Sequence, residues 1–485
     1  MRVLSFGEQA LKDAQSIQTL RQVVNDAVVG GITAGKATGL SASGERGSSS
    51  PTDKKTAALV LVVSSLQGVR EALAEAAGQA EEGSGSYLDQ INNLRERVLE
   101  IIRGLFSPRE QSGVIAAVQI LLNDLEDILH GVQLIRECSP RTFDLVLSFG
   151  TQISCILASR CLKKEGLAVR IEDNPGILLR MNPHGMLQVD YQKSYESIGR
   201  ALGKGETIPI VAGGIARSED GAITILQSDG SDLSASLIAA ALNAEIIEMW
   251  TGMDGVLSAH PGYVPEAFVI PALSYQEAME LSFFGARMIH SQSLVPAMEA
   301  GIPIQIRNLE RIENAGTRIC SNPQRKKTAI AGIASIEPVA LVNIEGGGMV
   351  GVPGIAARIF ATLAQAAVNI IMISQASSEH SICVVFRQEE AEGALKALRE
   401  ELAPEIRAKQ IQNFDLRKDL AILAAIGENM RGTPGISGKL FSALGAAGIN
   451  ILAIAQGSSE TNISFVIEKA GESEALKTIH RVFLS

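Results

Sequence analysis

The chemistry-bearing residues of this 485-residue chain gather in glycine-rich turns behind short apolar runs. The run Ile223–Leu226 leads to Gly230-Ser231-Asp232. An apolar, alanine-rich stretch follows from Leu233 to Asn243, then a second run from Glu245 to Trp250 and the turn Gly252-Met253-Asp254-Gly255. Strand, polar turn, helix, strand, polar turn reads as a βαβ unit, and open α/β sheets hold their ligands at such strand ends. A helix opening behind Gly-Ser-Asp offers backbone N–H groups and a positive dipole end to a phosphate. An ordinary crossover gives the same pattern, so spacing alone leaves both readings open. Three more turns have this form: Phe6-Gly7-Glu8, Phe149-Gly150-Thr151 and Ala212-Gly213-Gly214. The glycine pair at 213–214 either admits a ligand to the backbone or makes a tight turn. Gly30, Gly35 and Lys36 mimic a phosphate loop, but Ala37 stands where the magnesium-ligating Ser or Thr belongs, so no phosphate is expected there.

The elements that must position these turns are legible in outline. Met1–Ser5, Ala57–Ser64, Phe143–Ser148, Leu167–Ile171, Ile208–Val211 and Ile304–Arg307 read as strands. Ala10–Val29 and most of 66–139 carry helical periodicity, and Ile153–Glu165 reads as a helix. Residues 272–301 read as a helix capped by Ser274 and Glu277, a break at Gly285 and a second helix. Residues 30–55 read as an exposed loop and 308–327 as a linker, while 173–205 follow no clear period.

Apolar residues make up 46% of the chain and charged residues 20%, enough for large cores and two to four domains. The net charge of −10 argues against a nucleic-acid partner and an anionic membrane surface. No run of about 18 apolar residues is present, so no membrane span is expected. The polar N-terminus does not read as a secretory signal. Five cysteines without CxxC spacing read as free thiols in a reducing cytoplasm.

Residues 339–386 and 420–467 are a repeat at an offset of 81. Pro353-Gly354-Ile355 matches Pro434-Gly435-Ile436, Asn369 matches Asn450, and Gln375 matches Gln456. Each copy reads as βαββαβ, the ferredoxin-like pattern.

The whole chain resembles the aspartokinases, an amino-acid-kinase fold followed by two ACT domains, and most of all the kinase half of the bifunctional aspartokinase–homoserine dehydrogenases. The resemblance rests on Ser274–His290, on Gly230-Ser231-Asp232, on Trp250-Thr251-x-x-Asp254-Gly255 and on the turns after Gln375 and Gln456. It implies an open, mostly parallel α/β sheet over 1–310, a linker over 311–337, and ACT domains over 338–403 and 404–485. It implies phosphorylation of L-aspartate from MgATP, with Asp232 as the acid facing the transition state. Phe6, Gly7, Thr151, Gly230, Ser231, Thr251, Asp254 and Arg287 become candidates for nucleotide and substrate binding, with no dedicated metal site. Gly354, Asn369, Gln375, Gly435, Asn450 and Gln456 become candidates for binding an amino-acid effector, threonine or lysine. ACT pairing implies a homo-oligomer, and the expected location is cytoplasmic.

The chain departs from the family's motifs where charge matters. The family's Lys-Phe-Gly-Gly-Thr-Ser is Ser5-Phe6-Gly7-Glu8-Gln9-Ala10 here. Its Gly-Glu, which holds the substrate amine, is Gly150-Thr151. Its Gly-Arg-Gly-Gly-Ser-Asp is Gln227-Ser228-Asp229-Gly230-Ser231-Asp232, its Trp-Thr-Asp is Trp250-Thr251-Gly252, and its Asp-Pro-Arg is His260-Pro261-Gly262. Phosphoryl transfer is mostly positioning and charge neutralisation. Losing one preorganised donor costs about 3–4 kcal/mol, on the order of 100- to 1,000-fold in rate. The expectation is an aspartokinase-family protein of very low or no activity. The alternative is a non-catalytic amino-acid sensor that regulates or scaffolds an active aspartokinase or homoserine dehydrogenase.

Overall fold

In the computed structural model, residues 1–29, 59–173, 175–182, 187–203, 205–226, 230–285, 289–324, 328–349, 352–375 and 380–484 are described. The phosphate-loop mimic at 30–37 lies outside them. The chain divides into two compact units. One comprises 1–256, 271–275 and 288–323; the other comprises 257–270, 276–287 and 324–485.

The first unit is built on near-continuous apolar strands, whose burial on both faces suits a parallel sheet. In chain order its strands and helices are β1 (Arg2–Phe6), α1 (Ala14–Val29), β2 (Leu59–Val63), α2 (Val69–Glu81), α3 (Tyr87–Leu105), α4 (Pro108–Ile135), α5 (Pro140–Lys164), β3 (Val169–Glu172), β4 (Leu179–Met181), β5 (Leu187–Val189), α6 (Tyr191–Leu202), β6 (Ile208–Ala212), β7 (Ile215–Arg217), β8 (Ile223–Ile225), α7 (Gly230–Leu242), β9 (Ile246–Thr251) and β10 (Ala272–Leu273). After α8 (Tyr275–Phe283), which enters the second unit at Gln276, come α9 (Ser291–Glu299), β11 (Ile304–Asn308) and β12 (Thr317–Ile319). Eight strands form one sheet in the order β10-β12-β11-β9-β1-β2-β6-β3. Its middle is parallel, with Phe6 beside both Val63 and Trp250. Only β12 runs against its neighbour β11.

Several sequence expectations are corrected here. Phe143–Ser148 is not a strand, and Phe149-Gly150-Thr151 is not a turn. Both lie inside α5, which Ser139 caps by accepting the Thr142 N–H at 3.2 Å. Pro140 sits at the helix start, where its missing N–H costs nothing. Burial around α5 gives this helix the same apolar run that a buried strand would carry. This helix is long and apolar enough to span a membrane, and 78% of its most apolar window is buried inside the unit. The unreadable stretch 173–205 holds the antiparallel pair β4-β5 and α6. Ile223–Leu226 gives β8, but β8 pairs antiparallel with β7 in a separate two-stranded sheet. The crossover that α7 serves therefore joins β6 to β9. The stretch read as a linker contains β12, a member of the main sheet.

The second unit holds β13 (Gly332–Glu345), α10 (Ile355–Gln365), β14 (Ile370–Gln375), β15 (Ser381–Arg387), α11 (Ala391–Glu401), α12 (Ala403–Arg407), β16 (Asn413–Ile426), α13 (Ile436–Ala446), β17 (Ala453–Gln456), β18 (Asn462–Glu468) and α14 (Glu472–Phe483). One antiparallel sheet has the order β14-β15-β13-β16-β18-β17. The two long central strands pair along their length, with register shifts at Ile336/Val339 and Val339/Leu341. Residues 339–345 of β13 pair with β15, while 420–426 of β16 pair with β18. Each copy's sheet is thus completed by the leading part of the other's long strand: 413–417 closes the first copy and 332–336 closes the second. The offset of 81 also holds in these exchanged segments. Gln412 N–H bonds Glu345 O at 2.8 Å, and Ala331 N–H bonds Ile426 O at 2.7 Å. The expected βαββαβ pattern is present, but its sixth element is traded, so the boundaries 338–403 and 404–485 cut through both sheets. Separate apolar cores back the copies, one around Ile344, Ile359 and Phe386 and one around Leu423, Leu440 and Phe465.

Candidate functional site

The carboxyl ends of β1, β2, β6 and β9 converge with the start of α7, and most of the expected kinase-site residues are there. Ser5, fully buried at the end of β1, directs its hydroxyl to Asp232 Oδ1 at 3.4 Å. Asp232 lies in the first turn of α7, where the helix dipole favours a carboxylate. Gly213-Gly214 is settled as backbone packing. A side chain at Gly213 would meet Ser231 Cβ at 2.7 Å, and one at Gly230 would meet Gly214 Cα at 2.8 Å. The Gly214 N–H donates to Ser234 Oγ at 3.0 Å, which in turn donates to Gly230 O at 2.8 Å. These glycines let the β6 turn lie directly on the start of α7.

The turn after β1 is locked on two sides. Gly7 N–H donates to Trp250 O at 3.0 Å, and Ser64 N–H to Phe6 O at 3.0 Å. The Glu8 carboxylate accepts the Gly68 N–H at 2.9 Å, at the entrance to α2. Burial raises the Glu8 pKa, as does Glu71, while the Gly68 hydrogen bond and Arg70 oppose the rise. Gln9 occupies the space beside Gly252: a Cβ there would lie 2.9 Å from Gln9 O. An aspartate side chain, which the family motif carries at this place, has no room while the turn holds this position.

Thr251 and Asp254 are satisfied internally. Thr251 Oγ1 accepts the Met253 N–H at 3.0 Å. Asp254 accepts from Asn308 Nδ2 at 2.7 Å and from Arg311 Nη1 at 2.6 Å. Thr151 is buried within α5, whose Gly150 abuts Val69 and Ser65. Arg287 and the departures at 227–229 lie outside the described residues.

Two basic residues escaped sequence reasoning because only long-range contacts reveal them. Arg97 of α3 donates to Gln67 O at 2.6 Å and to Lys12 O at 2.9 Å, joining the turns after β1 and β2. Arg70 of α2 favours the charged forms of both Glu8 and Asp144. Three further cations of this unit are engaged. Arg2 binds Glu248, Lys12 binds Glu310 and Arg307 stacks 4.5 Å from the Trp250 ring centroid. Among the described residues, Ser5 places a hydroxyl beside Asp232.

The effector candidates occupy equivalent places in the two copies. Gly354 and Gly435 precede α10 and α13 with φ of 96° and 89°, a left-handed conformation that glycine adopts without strain. Gln375 and Gln456 end β14 and β17, both exposed, and Asn369 and Asn450 precede those strands. The Asn369 N–H donates to Glu390 Oε1 at 3.2 Å. The polar turn 376–379 and residues 350–351 lie outside the described residues.

The model of the amino acid kinase family matches residues 2–308, and an ACT domain model matches 342–402 and 423–483. The chain is 35% identical over 88% of its length to a chloroplastic bifunctional aspartokinase/homoserine dehydrogenase 2 of Arabidopsis thaliana, covering 47% of that protein. It is 32% identical over 81% of its length to the bifunctional enzyme of Haemophilus influenzae, covering 49% of it. The chain thus spans about half the length of the curated relatives it matches. Its fold is that of E. coli aspartokinase III solved with aspartate and ADP, with a TM-score of 0.78 at 20% identity over 99% of each chain. The aspartate kinase of Clostridium acetobutylicum gives 0.77 at 22% identity over all of both chains.

Proposed function

We propose, for a chain that belongs to the amino acid kinase family and carries a pair of ACT domains, that it keeps the regulatory half of an aspartokinase while its phosphotransfer half is very slow or inactive. The reaction its relatives suggest is transfer of the γ-phosphoryl group of ATP to the side-chain carboxylate of L-aspartate. The observation that carries the reading is Ser5 facing Asp232 where the family motif places a lysine, together with Glu8 lodged beside the same turn. Charge neutralisation is the largest part of such catalysis. Replacing a cation by a hydroxyl and adding a carboxylate both work against the developing negative charge.

The ACT pair supports the sensing half. Gln375 and Gln456 each end an edge strand, and an amide both donates to a carboxylate and accepts from an ammonium group. Threonine is the first candidate and lysine the second; E. coli aspartokinase III has been solved with lysine and aspartate. Assembly through the ACT domains and the cytoplasm as location belong to the same reading. The test is titration calorimetry with MgATP, L-aspartate, L-threonine and L-lysine beside a coupled phosphorylation assay. Threonine or lysine binding with no turnover is expected and favours a sensor for an active enzyme. Turnover at an ordinary kinase rate refutes the proposal.

A further inference from the structure

The segment after β9 folds as a loop whose neck closes at Ser258. Leu257 bridges Val269, Ser258 N–H donates to Phe268 O at 2.9 Å, and Phe268 N–H donates back to Ser258 Oγ at 3.0 Å. The loop, 257–270, belongs to the second unit, although the residues on either side of it, Val256 and Pro271, belong to the first. Ala259 and Val264 join the core of the second ACT copy, and Ser258 O accepts the Ile333 N–H of β13 at 2.8 Å. From α14 the neck meets His480, whose Nε2 lies 3.0 Å from Ser258 Oγ, with both residues buried.

Counting hydrogens fixes the protonation of this contact. Ser258 Oγ already accepts from Phe268, and its own proton needs an acceptor in a site closed to water. His480 Nε2 serves only when it carries no proton, so the closed neck holds a neutral imidazole. A protonated ring would strand the serine hydroxyl and bury a charge. Burial lowers the His480 pKa in the same sense, and Glu266 of the loop opposes it. Other charges nearby are engaged. Lys439 of α13 donates to Val482 O at 3.0 Å, Arg481 to Thr478 Oγ1 at 3.3 Å, and Lys469 pairs with Glu337, which accepts from Tyr263 at 3.4 Å. Glu472, which also faces Tyr263, has its pKa raised first by burial. Acid relieves that carboxylate, so the Tyr263 end of the loop tightens while the Ser258 end loosens.

We propose that this loop is an acid-released strap, and that His480, as acceptor of the Ser258 hydroxyl, is the group that releases it. Opening the neck lets the imidazole take a proton, so opening is favoured below the ordinary histidine value of about 6.5. The strap lies within the stretch matched by the amino acid kinase family, so acid frees a kinase-family segment from the second ACT copy. This inference stands apart from the activity proposed above.

Hydrogen exchange on the full chain at pH 7.5 and 5.5, corrected for the intrinsic pH dependence of exchange, tests it. Protection of the Phe268 and Ile333 amides should fall about tenfold at the lower pH, one unit below the histidine value. The amides of the β16–β18 ladder should keep theirs. His480→Gln, whose side-chain oxygen accepts the serine hydroxyl at either pH, should abolish the fall. His260→Gln, at an exposed position of the same loop, should preserve it. A fall of equal size along the β16–β18 ladder, one that survives in His480→Gln, or one lost in His260→Gln overturns the proposal. Nitrogen NMR of the wild-type imidazole decides if His480→Gln does not fold. An unprotonated Nε2 at pH 7.5 is expected, and a proton on Nε2 overturns the assignment.

Discussion

Glu8 carries a charge that its surroundings resist. Its raised pKa comes first from burial, so the folded state disfavours the ionised form relative to the unfolded chain. This penalty is present at pH 7 and disappears as pH falls through the raised value. Glu8→Gln keeps an oxygen for the Gly68 N–H and removes the charge. The variant should therefore match or exceed wild-type stability at pH 7 and lose that advantage by pH 4, read by urea unfolding. His480 runs the other way. It is buried on α14, with Nε2 3.0 Å from Ser258 Oγ and its ring 5.9 Å from that of Phe268. Burial lowers its pKa, and Glu266 partly restores it. The unfolded chain binds the proton more readily, so this contribution to stability is full above about pH 6.5 and is lost as pH falls below it. Wild type should weaken more between pH 7.5 and 5 than His480→Gln; parallel curves would refute this.

At the scale of elements, the turn after β1 decides what its neighbours accommodate. Gly7, Glu8 and Gln9 are held by Trp250, Gly68 and the space over Gly252. Restoring one family residue therefore meets resistance from the turn. Gly252→Asp should cost about 1–3 kcal/mol, as overpacking does, and should not raise phosphotransfer by itself. A variant that melts like wild type would show that the turn yields freely. Arg97 exemplifies what the sequence withheld at this scale. It belongs to an amphipathic helix whose polar face reads as solvated surface, and only the packing of α3 beside two loops gives it a task.

At the scale of the molecule, the exchanged strands make the ACT pair one structure. A fragment of residues 338–403 lacks 413–417 and leaves one edge of β13 unpaired, so it should stay largely unfolded by circular dichroism. Cooperative melting of that fragment would refute the exchange as a condition of folding. The sequence by itself determined the parallel core, because strands buried on both faces must be continuously apolar, and it determined the duplication, because equal turns and equal apolar periods recur at a fixed offset. It also supplied the departures at Ser5, Glu8, Thr151 and Gly252, since these are identities and not geometry. Only the tertiary structure decided that Phe143–Ser148 is helical, because a helix buried all round carries no period. It alone showed that Gly213 serves packing, that Asp254 is held by Asn308 and Arg311, and that each ACT sheet ends in the other copy's strand. Those facts depend on which distant segments meet, and local residue pattern carries no record of such meetings.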